Sequence, residues 1–211
     1  MDRREKLGRR LVMSATGVGL TGVGVGVLQA TRLGVDPYTS FVSGFQNLMH
    51  LPYSVTYWIV TACLLVTAFL FGRRLLYIAT VLNLVFLGLI ADGIRFLLEP
   101  MLDGAELPLR LVFLVIGLLI LGFSAALYYT ADLGVSAYDA QALMLHQNIV
   151  RRGPFRYCRI FTDAVCTAVG FVLHADIGIA TLITALFMGP LIDLFTKTVA
   201  LPLLGIKEDA P

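Results

Sequence analysis

This sequence predicts an all-α membrane protein, with six transmembrane helices and two short half-helices forming two inverted-topology three-span repeats. Three observations lead there. Of the residues, 58% are hydrophobic and only 14% charged, with a mean hydropathy of +0.84, whereas a soluble domain carries roughly a quarter charged residues. Apolar runs of span length recur, and these call for helices, because barrel strands would alternate over about ten residues. The third observation is self-similarity: Leu33-Gly34-Val35-Asp36-Pro37-Tyr38 matches Leu133-Gly134-Val135-Ser136-Ala137-Tyr138 at an offset of 100 residues.

The expected spans are 11–31, 53–71, 75–98, 109–131, 155–173 and 177–204, each near the roughly 20 residues that cross a hydrocarbon core. The basic segment before the first one looks like the start of a signal peptide. No small-x-small cleavage pattern closes the run, so it reads as a retained helix. Segments 37–51 and 137–150 are too short to cross and carry Ser40, Gln46, Asn47, Asp139, Gln141 and His146; they read as re-entrant or interfacial half-helices. Repeat unit one covers 1–105 and unit two 106–211.

Basic residues set the orientation. With the amino terminus inside, thirteen of the 16 Lys and Arg residues fall in inside segments, including Arg73, Arg74, Arg151, Arg152, Arg156 and Lys207. Arg32, Arg95 and Arg110 remain outside, beside Glu99, Asp103 and Glu106. Both termini are expected in the cytoplasm.

The repeat continues beyond its first block. Ile78-Ala79-Thr80 matches Ile179-Ala180-Thr181 at an offset of 101, which pairs Asn83 with Thr184 and Asp92 with Asp193. Gly22 and Gly26 pair with Gly122 and Ala126. Three spans per unit is an odd number, so the second copy enters from the opposite face. Many secondary transporters share this plan, with the site at the repeat interface. Duplication for a stable bundle without transport is the simpler alternative.

LGVDPY at 33–38, the small-residue run at 17–26 and TVLNLVFLGLIAD at 80–92 together resemble the YczE/YyaS/YitT-type family of bacterial integral membrane proteins. The likeness covers nearly the whole chain and departs where Ser136-Ala137 replaces Asp-Pro. It implies a multi-pass protein of the bacterial inner membrane, commonly supposed to be a permease, with no agreed substrate.

Asp36-Pro37 is a helix start, an acidic cap followed by proline where its missing N–H costs nothing. The half-helix end either receives a substrate anion or is a plainly capped surface helix. Asp92 and Asp193 each follow an apolar run, where facing lipid costs at least about 2.5 kcal/mol. Each is a candidate for ion or proton coupling, or a helix-end pair with Arg95 or Lys197. Arg159 and Asp163, four apart on one face, form either a self-satisfied pair or a proton relay. Their first-unit register position is Ala62, so this feature breaks the symmetry. Tyr38, Asn83, Tyr128, Tyr129, Ser136, Tyr138, Asp139 and Gln141 complete the substrate-binding candidates around the half-helices. Asn83 and Thr184 also read as interhelical glue, and Ala15, Gly19, Gly22, Gly26 and Ala30 as a packing face.

The expected function is a small secondary transporter for an organic solute. The alternative is a membrane accessory protein that regulates or matures a partner complex. No nucleophile pair, metal-ligand cluster or cofactor motif appears, so neither an enzyme nor a cofactor or metal is expected. Cys63, Cys158 and Cys166 read as apolar fillers. The expected partners are the lipid bilayer, a solute and, given the small size, a second copy in a homodimer; nucleic acid is not among them.

Overall fold

A computed structural model describes residues 3–71, 77–150 and 155–205. These are helical apart from short turns, in the order α1 (Arg3–Thr31), α2 (Pro37–Met49), α3 (Tyr53–Phe71), α4 (Ile78–Leu102), α5 (Leu107–Ala131), α6 (Ala137–Leu145), α7 (Phe155–Val172), α8 (Ile179–Phe195) and α9 (Leu201–Leu203). Single π-helical turns, His146–Val150 and Thr196–Ala200, extend α6 and join α8 to α9.

Among the described residues, five stretches are long and apolar enough to cross a membrane: Leu7–Thr31, Tyr53–Phe71, Ala79–Leu102, Leu107–Ala131 and Ile179–Leu203. The expected sixth, α7, is a helix of 18 residues, but Arg156, Arg159 and Asp163 give it three charges. Among the boundaries, 53–71 agrees with α3, while the third expected span, α4, runs on to Leu102 and the last, α8, starts at Ile179. The basic residues Arg73, Arg74, Arg151, Arg152 and Lys207, which carry much of the orientation argument, lie outside the described residues.

Both half-helices begin as the sequence predicts. Asp36 is extended (φ −65°, ψ 160°), and its Oδ1 accepts the Thr39 N–H at 3.2 Å, with Pro37 opening α2. Ser136 caps α6 in the same way, its Oγ accepting the Asp139 N–H at 3.0 Å. Each cap satisfies one of the N–H groups that a helix start leaves free.

The repeated Leu-Gly pair has a backbone role. Gly34 and Gly134 sit at φ +104° and +109°, a region other residues rarely adopt. A Cβ on Gly34 would lie 2.5 Å from the Gly178 nitrogen, and one on Gly134 would lie 2.9 Å from the Tyr77 Cβ. This closeness permits a reciprocal exchange. The Ala180 N–H donates to the Leu33 carbonyl and the Ala79 N–H to the Leu133 carbonyl, both at 3.1 Å. Each Leu-Gly turn thus closes onto the start of a helix in the other half of the chain.

Packing follows the same exchange. α2 lies against α7 and α6 against α3, so each half-helix rests on a helix of the opposite half. α1 is the central element, wedged between α4 and α5. Small residues permit its close approach: Cβ atoms on Gly22 and Gly26 would lie 2.8 Å from the Ile90 Cβ and 2.6 Å from the Ala91 carbonyl. Gly19, expected on that face, has open space around it, whereas Gly17 and Gly24 are tightly packed against α5.

At the end of α1, Arg32 pairs with Glu99 at 3.0 Å and with Asp103 at 3.2 Å, and Arg95 reaches Glu99 at 3.6 Å. The expected alternative pairing of Asp92 with Arg95 therefore does not form. Asp92 instead accepts the Ser54 N–H at 2.8 Å, serving the start of α3.

Candidate functional site

A cavity of about 140 Å³ lies where the starts of α2 and α6 meet, and α1, α3, α4, α5, α7 and α8 complete its wall. Six of the chain's 8 tyrosines line it: Tyr38, Tyr53, Tyr57, Tyr128, Tyr129 and Tyr138.

Their rings form a layered core. Tyr38 stacks on Tyr138, with centroids 4.9 Å apart and planes 13° from parallel. Tyr57 meets Tyr38 edge-on at 6.0 Å, and on the Tyr138 ring the Arg159 guanidinium lies 4.5 Å from the centroid. The ring quadrupole attracts a cation so placed. The hydroxyls are held on either side: Tyr38 Oη and Thr61 Oγ1 share a hydrogen bond of 2.8 Å, and Tyr138 donates to Asp163. Thr61 on α3 thus plays the part of Asp163 on α7, one residue before the Ala62 of the sequence register. Likewise Tyr57 stands where the other half has Arg159.

The charged groups converge from two helices. Arg159 pairs with Asp139 across the gap between α7 and α6, and its Nε lies 3.3 Å from Asp163 Oδ1. Asp139 is 6% exposed and also accepts from Tyr129 at 3.1 Å and Ser136 at 2.8 Å. A buried carboxylate needs such satisfaction. The Arg159–Asp163 pair read from spacing is therefore part of a triad that includes Asp139.

Three polar atoms of the wall, Asp36 Oδ2, Tyr53 Oη and Tyr128 Oη, make no hydrogen bond of good geometry among the described residues, although Thr39 stands close to Tyr53 and Ser136 close to Tyr128. Tyr53 is fully buried and Tyr128 is 5% exposed. Leaving such groups unpaired costs roughly 1–3 kcal/mol each, and more for a charge. Native proteins keep such orphans rare, so three around one cavity single it out.

Of the sequence candidates, Asp36, Tyr38, Asn83, Tyr128, Tyr129, Ser136, Tyr138, Asp139 and Arg159 line the cavity, and Asp163 stands directly behind Tyr138. Asn83 accepts from Tyr57 and joins α4 to α3, while Thr184 bonds back into its own helix at 2.9 Å. Gln141 points away, bonded to Thr67 and the Leu64 carbonyl at 2.9 Å. Asp92 serves the start of α3, and Asp193 is exposed on α8 outside the wall. Sequence reasoning missed Tyr53, Tyr57 and Thr39. The signal was present as Tyr53 and Tyr57, four apart and hence on one face of the second span.

A family model, described as a family of unknown function (DUF6198), matches residues 8–197, and the chain belongs to that family. The chain is similar to an uncharacterized protein of Haemophilus influenzae, 25% identical over 187 residues that cover 86% of this chain and 80% of that one. It is also similar to the uncharacterized membrane protein YczE of Bacillus subtilis, 23% identical over 181 residues, with 85% and 78% covered. No solved structure matches. The resemblance carried by LGVDPY agrees with these findings, and the apolar helices make the chain an integral membrane protein of the YczE type.

Proposed function

We propose that this family member is a small secondary transporter for an organic solute, working by alternating access between two inverted three-span units. One observation carries the reading: a tyrosine-lined cavity with carboxyl groups in its wall where both half-helices begin, with Tyr38 of one repeat stacked on Tyr138 of the other. Transporters built from inverted repeats bind at this kind of junction. Because the two rings belong to different halves, rocking of one half against the other would part the stack and open the cavity.

The finer topology belongs to the same proposal. α7 serves as the sixth span, about 27 Å long at 1.5 Å per residue. Its charges Arg159 and Asp163 are turned toward Asp139 and Tyr138 rather than lipid, which removes the objection to a charged span. The reciprocal Leu33–Ala180 and Leu133–Ala79 bonds support the inverted repeat. The basic loops support cytoplasmic termini in a bacterial inner membrane.

The test uses single cysteines at Thr39 and Ser124, two cavity residues, in a cysteine-free background. Alternating access predicts that a membrane-impermeant thiol reagent, added from either side of sealed proteoliposomes, modifies each of them. Labelling from one side only in folded protein, with a stable co-purifying complex, would favour the accessory role instead.

A further inference from the structure

We propose that the cavity selects a small organic cation, a protonated or quaternary amine, bound at the free oxygen of Asp36 against tyrosine faces. The inference rests on the transporter reading only for the steps after binding; the binding itself is read from the wall.

Charge comes first. Asp36, Asp139 and Asp163 stand in or behind the wall with one guanidinium, that of Arg159. Arg159 is already engaged by Asp139, by Asp163 and by the Tyr138 ring. No ion pair reaches Asp36 among the described residues, and its Oδ2 is buried without a partner. Carboxyl groups in and behind this wall thus outnumber its guanidinium three to one.

An anion has no comparable seat. At each helix start that would attract one, an N–H is already taken, by Asp36 on Thr39 and by Ser136 on Asp139, and at α2 the capping group is itself a carboxylate. The proposal therefore takes a cation in place of the anion expected at the half-helix end.

The neutral groups agree. A primary ammonium carries three N–H donors, and acceptor oxygens line the wall beside both helix starts, Asp36 Oδ2 and Tyr53 Oη at α2 and Tyr128 Oη at α6. Tyrosine faces supply the complementary attraction for a cation, as Tyr138 already does for Arg159. Size limits the solute: a cavity of about 140 Å³ compares with the roughly 150 Å³ that admits benzene.

The experiment titrates the purified full chain in detergent with butylamine and tetramethylammonium, with butanol and butyrate as neutral and anionic controls of similar size. Thermal stability is the readout, since a ligand of the folded form raises it. Saturable stabilisation by a cation and none by the controls is expected. Asp36→Asn should weaken it at least tenfold; asparagine caps a helix as well as aspartate, so this variant retains α2. Tyr53→Phe and Tyr128→Phe, which keep the rings, should weaken butylamine severalfold and tetramethylammonium little. Asp193→Asn, outside the cavity, should change nothing. Stabilisation by butyrate alone, a cation effect indifferent to Asp36→Asn, or no response to either cation would overturn the assignment. Flux of radiolabelled amine into proteoliposomes is measured separately. Cation binding without flux upholds the ligand class and removes transport; flux of an uncharged or anionic solute without amine binding does the reverse.

Discussion

Tyr38 and Tyr138 occupy the same position in two copies of one sequence block and lie face to face, 4.9 Å apart. Under the proposed inverted repeat, such a contact forms only close to the axis that would relate the copies. The surroundings of the two rings differ: Thr61 and Tyr57 attend Tyr38, while Asp163 and Arg159 attend Tyr138. The centre of the molecule is thus similar in shape on its two sides and different in charge.

Removing the Tyr138 ring should be costly. Tyr138→Ala deletes the stacking partner of Tyr38, the seat of Arg159 and the donor to Asp163. A loss of about 3–5 kcal/mol is expected, as for other buried aromatics. Tyr138→Phe preserves the stack and removes only the hydrogen bond to Asp163, which keeps Arg159, for about 1–3 kcal/mol. Denaturant unfolding in detergent measures both, and equal losses would show that the hydroxyl rather than the ring dominates.

Arg159 should matter more than any exposed cation. Arg159→Met leaves the buried Asp139 and the partly buried Asp163 without their counter-charge, a change expected to cost about 3–5 kcal/mol. Adding Asp139→Asn should recover part of that loss, and a double-mutant cycle reads the coupling directly. By contrast, Arg32→Ala disrupts a half-exposed cluster with Glu99 and Asp103 and should cost under about 1 kcal/mol, less at high salt.

Glycine substitutions should separate into two classes. Gly34→Ala and Gly134→Ala impose a side chain at positive φ against backbone or Tyr77 and should reduce folded yield sharply. Gly93→Ala meets open space in α4 and should be neutral or stabilising by about 1 kcal/mol. Fluorescence-detected size-exclusion chromatography checks the yields, and unaltered Gly34→Ala protein would contradict the tight Leu-Gly turn.

Topology has a direct test in another repeat-related pair. Arg32 and Asp132 are both exposed, and both adopt left-handed backbone, at φ 53° and 51°. Cysteines substituted at these positions should react with an impermeant reagent from opposite sides of the membrane, Arg32→Cys from outside and Asp132→Cys from inside. Reaction from the same side would rule out inversion.

Much of this architecture was legible beforehand because membrane helices and caps are written locally. Hydropathy located the five apolar spans, and Asp36-Pro37 marked the start of α2 to the residue. Contacts between distant segments were less accessible. The Asp139–Arg159 pair joins two helices, so four-residue spacing revealed only the Asp163 half of the triad. Asp92 and Asp193 align in sequence yet differ in surroundings: one is bonded to the Ser54 backbone, and the other is exposed on α8. Register reports only the likeness of two stretches of sequence, whereas environment depends on the neighbours that each position meets.

The crossed bonds from Leu33 to Ala180 and from Leu133 to Ala79 constrain how the two parts can move. In the proposed rocking each would act as a pin, favouring rotation about the line through both. Sliding or pulling apart would break a bond; swivelling breaks neither. The repeated Leu-Gly turns would then serve as an axle, with the groups on either side of it rising and falling in opposition.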